Sequence, residues 1–191
     1  RTSPTTRRDE TPGALASQVS AARFGPLVRF RKRWVDRMVA RRAARAEKIL
    51  RANAPLWQRM MAAADGTAVT GASYSDYLTL YEQVRAFRPR EILECGTGIS
   101  TVVLAQALLD NAAEVGGEPG RVTSMEDDAE WFRVAGDRLP DAVRAVVDLV
   151  HSPKRDGFYK CFRGVCYEAL PDRPYDFVFS DGPDRRSPVN G

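Results

Sequence analysis

The sequence holds a single histidine, His151, among 191 residues. No multi-histidine metal site can be built from it, and a serine or cysteine nucleophile has only that one imidazole to work with. Cysteine is scarce as well: Cys95, Cys161 and Cys166 are an odd number with no CxxC spacing. That argues against a disulfide framework and for a reducing, cytoplasmic setting. No apolar run approaches the roughly 20 residues that a spanning helix needs. The N-terminus has no uninterrupted apolar stretch of the kind a signal peptide carries. Core-forming residues are not lacking, since 43% of the chain is hydrophobic and 28% charged. That is the balance of a globular protein, and the length suits one domain with an appendage.

The net charge of +4 conceals an imbalance. Residues 1–60 hold 15 Lys+Arg against 4 Asp+Glu, a net of +11, whereas residues 61–191 hold 14 against 21, a net of −7. Two parts of opposite sign imply two roles, or one part folded over the other. Residues 1–24 begin with a polar stretch carrying Pro4 and Pro12 and read as a flexible tail. Residues 25–70 read as a basic amphipathic helical arm. It starts at Gly25-Pro26, with Leu27, Phe30, Trp34 and Met38 at helical spacing and a break near Asn53-Ala54-Pro55. A second short helix, Leu56 to Ala64, ends at Asp65-Gly66. Arg29, Arg33, Arg37, Arg41 and Arg45 recur every four residues beside the apolar stripe. Such a stripe can track phosphates or lie on an anionic membrane. The expectation is that the arm serves packing or homo-oligomerisation, with the arginines solvated, and not sequence-specific nucleic-acid recognition.

Residues 71–191 change character. Ser73 and Asp76 have capping-box spacing ahead of a helix from Tyr74 to about Phe87. Glu91 to Glu94 reads as a strand, Ile99 to Leu109 as a helix, and Asn111 to Gly120 as a glycine-rich loop. Arg121 to Glu126 is a second strand and Asp128 to Leu139 a helix closed by Pro140. Ala145 to Val150 and Tyr175 to Ser180 are a third and fourth strand. Strands alternating with helices predict an α/β fold with a doubly wound, mostly parallel sheet of Rossmann-like type.

Between the first strand and its helix stands Glu94-Cys95-Gly96-Thr97-Gly98-Ile99-Ser100. Glycines here let the backbone turn tightly and let a ligand approach without a Cβ in its way. The third glycine of a dinucleotide fingerprint is absent, because Thr101 holds that position. Glu94, two residues before the first glycine, would repel a pyrophosphate and suit a ligand carrying an amino group and a sulfonium. An ordinary tight turn with a buried or capping Glu94 would use the same residues. Ile92 to Ser100 nevertheless resembles motif I of class I S-adenosylmethionine-dependent methyltransferases. Val122 to Asp128 resembles the second strand with its ribose-binding acid. Tyr175 to Pro183 resembles the fourth strand with its terminal aspartate.

The resemblance implies a methyltransferase using S-adenosyl-L-methionine, with residues 71–191 as its cofactor-binding domain. It implies Glu94, Gly96, Thr97, Gly98 and Ser100 at the cofactor turn. It implies Glu126, with Asp127 beside it, at the ribose, and Asp128 as the cap of the next helix. His151 and Ser152 fall where the adenine edge would be, although the family commonly has an acid there. Tyr74 and Tyr81 are candidates for the pocket wall, Tyr81 with core packing as the competing role. Asp181 is the candidate base for a small-molecule or macromolecular acceptor, with no metal expected. A Rossmann-like sheet of this family has seven strands, and four are legible here, so the natural protein is expected to continue past Gly191. The competing function is a non-catalytic module of the same fold whose basic arm binds nucleic acid or an acidic partner.

Overall fold

A computed structural model describes residues 12–64 and 72–182, with side chains from residue 30 onward. Two compact units divide the chain, Arg1–Ala43 and Ala44–Gly191. Helix α1 (Pro12–Ala52) provides the described residues of the first unit and opens the second with its last turns. It starts at Pro12, ahead of Gly25-Pro26 and inside the stretch read as a tail. Residues 1–11, the Asp65-Gly66 break, and Pro183 with all that follows lie outside the described residues, as do the side chains of Leu27 and Arg29. In the first unit Phe30, Trp34, Val35, Met38 and Val39 are exposed, and burial along α1 begins at Ala46 and Leu50 of the second unit.

In chain order the second unit continues with α2 (Ala54–Ala64), α3 (Tyr74–Phe87), β1 (Glu91–Cys95), α4 (Ile99–Val115) and β2 (Arg121–Glu126). Then come α5 (Ala129–Arg138), α6 (Asp141–Arg144), β3 (Val147–His151), β4 (Lys154–Tyr159), β5 (Phe162–Tyr167) and β6 (Phe177–Ser180). Asn53 separates α1 from α2 and caps the latter, its Oδ1 accepting the Leu56 N–H at 3.2 Å. The Ser73 backbone N–H donates to Asp76 at 2.8 Å, which fixes the start of α3 as the capping-box spacing predicts.

β1, β2, β3 and β6 form one parallel sheet in the order β3-β2-β1-β6. The chain moves outward from β1 to β2 to β3, then returns to pair β6 on the other side of β1. β1 is therefore the switch point of a Rossmann-like sheet, the place where ligands of such sheets bind at the carboxyl ends of the strands. Ile92, Leu93 and Glu94 of β1 are all buried, as is every residue of β2 after Arg121. A parallel strand covered on both faces has no reason to alternate. α4 is apolar nearly all round, and Val102, Val103, Leu104, Ala105, Ala107 and Leu108 are all in the core with Leu56, Met60, Leu80 and Val84.

Two sequence expectations are corrected here. α4 does not stop at Leu109 but runs to Val115 and closes at Gly116, absorbing the first half of the expected loop. Asn111 stays helical because its buried amide donates to the Val84 carbonyl at 3.0 Å and accepts from Arg85 at 2.7 Å. The second correction is the antiparallel hairpin β4–β5, which lies between the third and fourth expected strands and was not anticipated. Its base is tied to the sheet: Glu168 N–H donates to the Pro153 carbonyl at 2.8 Å and Ala169 N–H to the Ser152 hydroxyl at 3.0 Å.

Candidate functional site

The turn after β1 brings the ends of two strands into contact. Gly96 has φ +97, a conformation that residues with a Cβ avoid, and a Cβ there would lie 3.1 Å from the Gly182 nitrogen and 3.2 Å from the Asp181 carbonyl carbon. The backbone N–H of Gly96 donates to the Met125 carbonyl at 2.9 Å, and that of Asp181 donates to the Cys95 carbonyl at 2.8 Å. Asp181, exposed just past β6, is thus fixed beside the turn. Gly98 differs. It is extended, and a Cβ there would meet nothing nearer than the Ser100 hydroxyl at 3.9 Å. That is an ordinary contact distance, so Gly98 is not demanded by crowding as Gly96 is.

Glu94 lies fully buried. Its Oε2 accepts from the hydroxyls of Thr101 and Ser124, both at 2.6 Å, while its Oε1 has no hydrogen-bond partner among the described residues. Burial pushes its carboxyl up to about 7, against the opposing pull of the Ser100, Ser124 and Thr101 hydroxyls, and the nearby Asp181 charge adds to the rise. Tyr77 on α3 senses the same group of acids. Burial, then the charges of Asp181, Asp76 and Glu94 and the neighbouring Tyr74, push its phenol up to about 12.

Glu126 ends β2 and faces the turn. Its Oε2 accepts the Thr97 N–H at 3.1 Å, and its Oε1 accepts the Asp127 and Asp128 N–H groups at 3.0 Å each. Burial still lifts its carboxyl above the ordinary range. Thr97 is locked in place further, its hydroxyl 2.9 Å from that of Ser124 and its carbonyl accepting the Trp131 indole N–H at 2.7 Å. Asp128 caps α5, accepting the Trp131 backbone N–H at 2.7 Å. Asp127 sits 3.5 Å from the Lys154 ammonium. Ser100 is buried in the first turn of α4.

Other candidates separate. His151 is exposed at the end of β3, its ring 5.6 Å from that of Phe132. Ser152 is buried, its N–H on the Glu126 carbonyl at 2.9 Å and its hydroxyl taken by Ala169. Tyr81 donates to Asp110 at 2.7 Å and accepts from Asn53 at 3.0 Å, away from the glycine turn, and Tyr74 packs its ring 5.5 Å from Trp57. Two residues of this end were missed. Tyr77 shares a helix face with Tyr74 and Tyr81, so the 3–4 spacing could have found it. Tyr167 leaves the hairpin to donate to the Met125 carbonyl at 3.2 Å, and burial followed by neighbouring Cys95, Glu126 and Asp127 raises its phenol. The signal that could have found it is the aromatic and β-branched run Phe162 to Tyr167.

The outcome is one end of a sheet that carries a glycine turn, the N-terminus of α4 and three acids, Glu94, Glu126 and Asp181. Two of these carboxylates are buried and the third, Asp181, is exposed. No protein-family model matches the chain, and a search of curated proteins returns no match. Among solved structures, it is similar to the Bacillus cereus O-methyltransferase determined with SAH, at 22% identity and a TM-score of 0.45, over 66% of this chain and 53% of that one. It is similar to the O-methyltransferase TomG from Streptomyces achromogenes, involved in tomaymycin synthesis and determined with SAM, at 21% identity and a TM-score of 0.44, over 66% and 52%. A third is a putative O-methyltransferase from Klebsiella pneumoniae, at 24% identity and a TM-score of 0.43, over 58% and 50%. The chain spans about half the length of each of these structures.

Proposed function

We propose that this chain binds S-adenosylmethionine at the carboxyl ends of β1 and β2 and transfers its methyl group by in-line displacement to an acceptor hydroxyl or amine. One observation carries the reading: the turn Gly96–Gly98 is bracketed by two buried carboxylates, and one of them, Glu94, keeps an oxygen without a partner among the described residues. A buried acceptor left unpaired costs about 1–3 kcal/mol, more when charged. A ligand ammonium is the donor that would relieve it, and a glycine at position 98 puts no side chain in the way of the methionine part. The residues therefore fit the cofactor.

Glu126 would take the ribose. Three of its roughly four acceptor positions are filled by backbone N–H groups, which hold it rigid and leave one for a hydroxyl. Thr97 and Ser100 frame the turn, Asp127 and His151 border the adenine side, and Ser152 supports that edge through its bond to Ala169. Bound there, the cofactor supplies a methyl carbon already activated by its sulfonium. The chain's own work is alignment, worth up to about 7–11 kcal/mol, and proton removal. Asp181, held beside the turn by its bond to Cys95, would accept the proton of the acceptor group as methyl transfer proceeds.

Titration calorimetry of the full chain with S-adenosylmethionine, and separately with NAD, tests this reading. Saturable binding of S-adenosylmethionine alone is expected. A folded chain that gives no heat with it, or binds NAD equally well, overturns the proposal.

A further inference from the structure

The basic stripe of α1 takes no part in this chemistry, and it borders apolar residues that its own unit leaves in solvent. Phe30, Trp34 and Met38 follow each other at i+4 spacing and are 71%, 57% and 47% exposed. Val35 and Val39 lie beside them and are exposed too. At about 100° per residue these side chains cover about half of the helix circumference. The stretch from Phe30 to Arg45 also holds seven Lys+Arg and a single carboxylate, Asp36. In the same projection Lys32 borders the apolar half on the Val39 side and Arg37 on the Phe30 side, with Asp36 opposite. Arg31 falls inside the apolar half, and Arg41, Arg42 and Arg45 fall on the same side beyond Val39. A packed interior would reject them, but long stems let guanidiniums rise to a polar boundary.

We propose that Phe30–Arg45 is an interfacial helix that docks the protein on an anionic lipid bilayer. Its apolar half enters the boundary between headgroups and acyl chains, and its cations meet the acidic headgroups. Charge selects this occupant. A second copy docking through the same face would set seven cations against seven cations. A nucleic acid would answer the cations and leave Phe30, Trp34 and Met38 in water. An anionic bilayer answers both halves of the helix. No helix among the described residues is long and apolar enough to cross a membrane, which fits a helix that lies on the surface.

The test uses the full chain with vesicles of phosphatidylcholine alone and of equal parts phosphatidylcholine and phosphatidylglycerol. Sedimentation should show binding to the mixed vesicles at least about tenfold tighter than to phosphatidylcholine, weakening as salt rises. Phe30→Ser/Trp34→Ser/Met38→Ser and Arg33→Gln/Arg37→Gln/Arg41→Gln should each lose about tenfold or more, with helix content checked by circular dichroism. Brominated acyl chains should quench part of the wild-type tryptophan fluorescence, and that part should vanish in Trp34→Phe, a change that keeps the face apolar. The proposal is overturned by equal binding to both vesicles or to neither, or by a triple serine variant that binds as well as wild type. It is equally overturned by a dimer that the serine substitutions abolish while vesicles stay unbound.

Discussion

The end of the parallel sheet and the tip of the β4–β5 hairpin share an extended backbone and little else. At the sheet end, polar side chains are buried and answered by neighbours: Thr97, Thr101, Ser124, Glu94 and Glu126 form one connected set of hydrogen bonds. At the hairpin tip, Phe158, Tyr159 and Phe162 stand in solvent. The difference teaches where chemistry can be stored in this fold. Buried carboxylates hold shifted proton affinities only because a packed core surrounds them, and a solvated ribbon offers no such reservoir.

The largest expected effect breaks the core under the sheet end. Leu104 of α4 is fully buried among Val84, Leu56 and the strands. Leu104→Ala should lower stability by about 2–5 kcal/mol, read as a fall in the urea midpoint at unchanged slope. A loss below about 1 kcal/mol would mean that α4 is not the centre of the core.

Proton binding by Glu94 comes next. Its carboxyl stands at about 7 against an ordinary 4.5, chiefly through burial. The folded state therefore binds this proton more tightly than the unfolded chain. The contribution is fully present below the unfolded value and is lost as pH rises through about 4.5 to 7. Its size is on the order of 3 kcal/mol. Glu94→Gln, which cannot ionise, should lack that decline, so its urea midpoint relative to wild type should rise between pH 5 and pH 7.5. Parallel pH profiles for the two proteins would show that Glu94 is ionised in the folded state throughout. Cofactor affinity should run the other way in wild type, since an ammonium favours the ionised carboxylate.

Glu126 sharpens the comparison at the site itself. Glu126→Ala removes one charged acceptor for a ribose hydroxyl, worth roughly 1.5–3 kcal/mol, so S-adenosylmethionine should bind at least about tenfold more weakly by calorimetry. Glu126→Gln should lose less. Asp128→Ala should leave affinity nearly unchanged, because Asp128 spends its carboxylate on capping α5. Wild-type affinity in Glu126→Ala would remove the ribose assignment.

Legibility followed the same divide. β1 and β6 could be read because each is a short, mostly apolar run bounded by a turn, and β2 because Val122, Thr123 and Met125 follow the turn at Gly120. The site could be read because Gly96, Gly98, Glu94 and Glu126 fall where one strand end needs them. Sequence alone could not say that Glu94 is buried with one oxygen unmatched, since that depends on Thr101 and Ser124 arriving from another helix and strand. The hairpin escaped because it opens on Lys154-Arg155-Asp156-Gly157, which shows neither alternation nor apolar character, although Phe158-Tyr159 and Phe162 to Tyr167 carry the aromatic and β-branched residues that could have found it. With it went Tyr167, whose contact to Met125 is made across 42 residues of chain. Tyr77 was legible in principle, as the middle member of a tyrosine face, yet its nearness to Asp181 belongs to the packing of α3 and not to its spacing.

The smallest expected effect lies at the hairpin tip and tests the other side of the comparison. Phe158 and Phe162 are 75% and 72% exposed, so each has little apolar area to return to water on truncation. Phe158 is opposite Arg163, and Phe162 opposite Tyr159. Such cross-strand pairs contribute roughly 0.2–1 kcal/mol, at the low end where both members are solvated. Phe158→Ser should therefore change stability by no more than about 0.5 kcal/mol and leave cofactor affinity where it was. Tyr167→Phe, at the base of the same ribbon, should cost more, about 1 kcal/mol, because it removes the bond that ties the hairpin to the end of β2. If urea denaturation ranks these two the other way round, the tip is buried in solution by something that covers its aromatic face. The contrast between a packed sheet end and a solvated ribbon would then have to be given up.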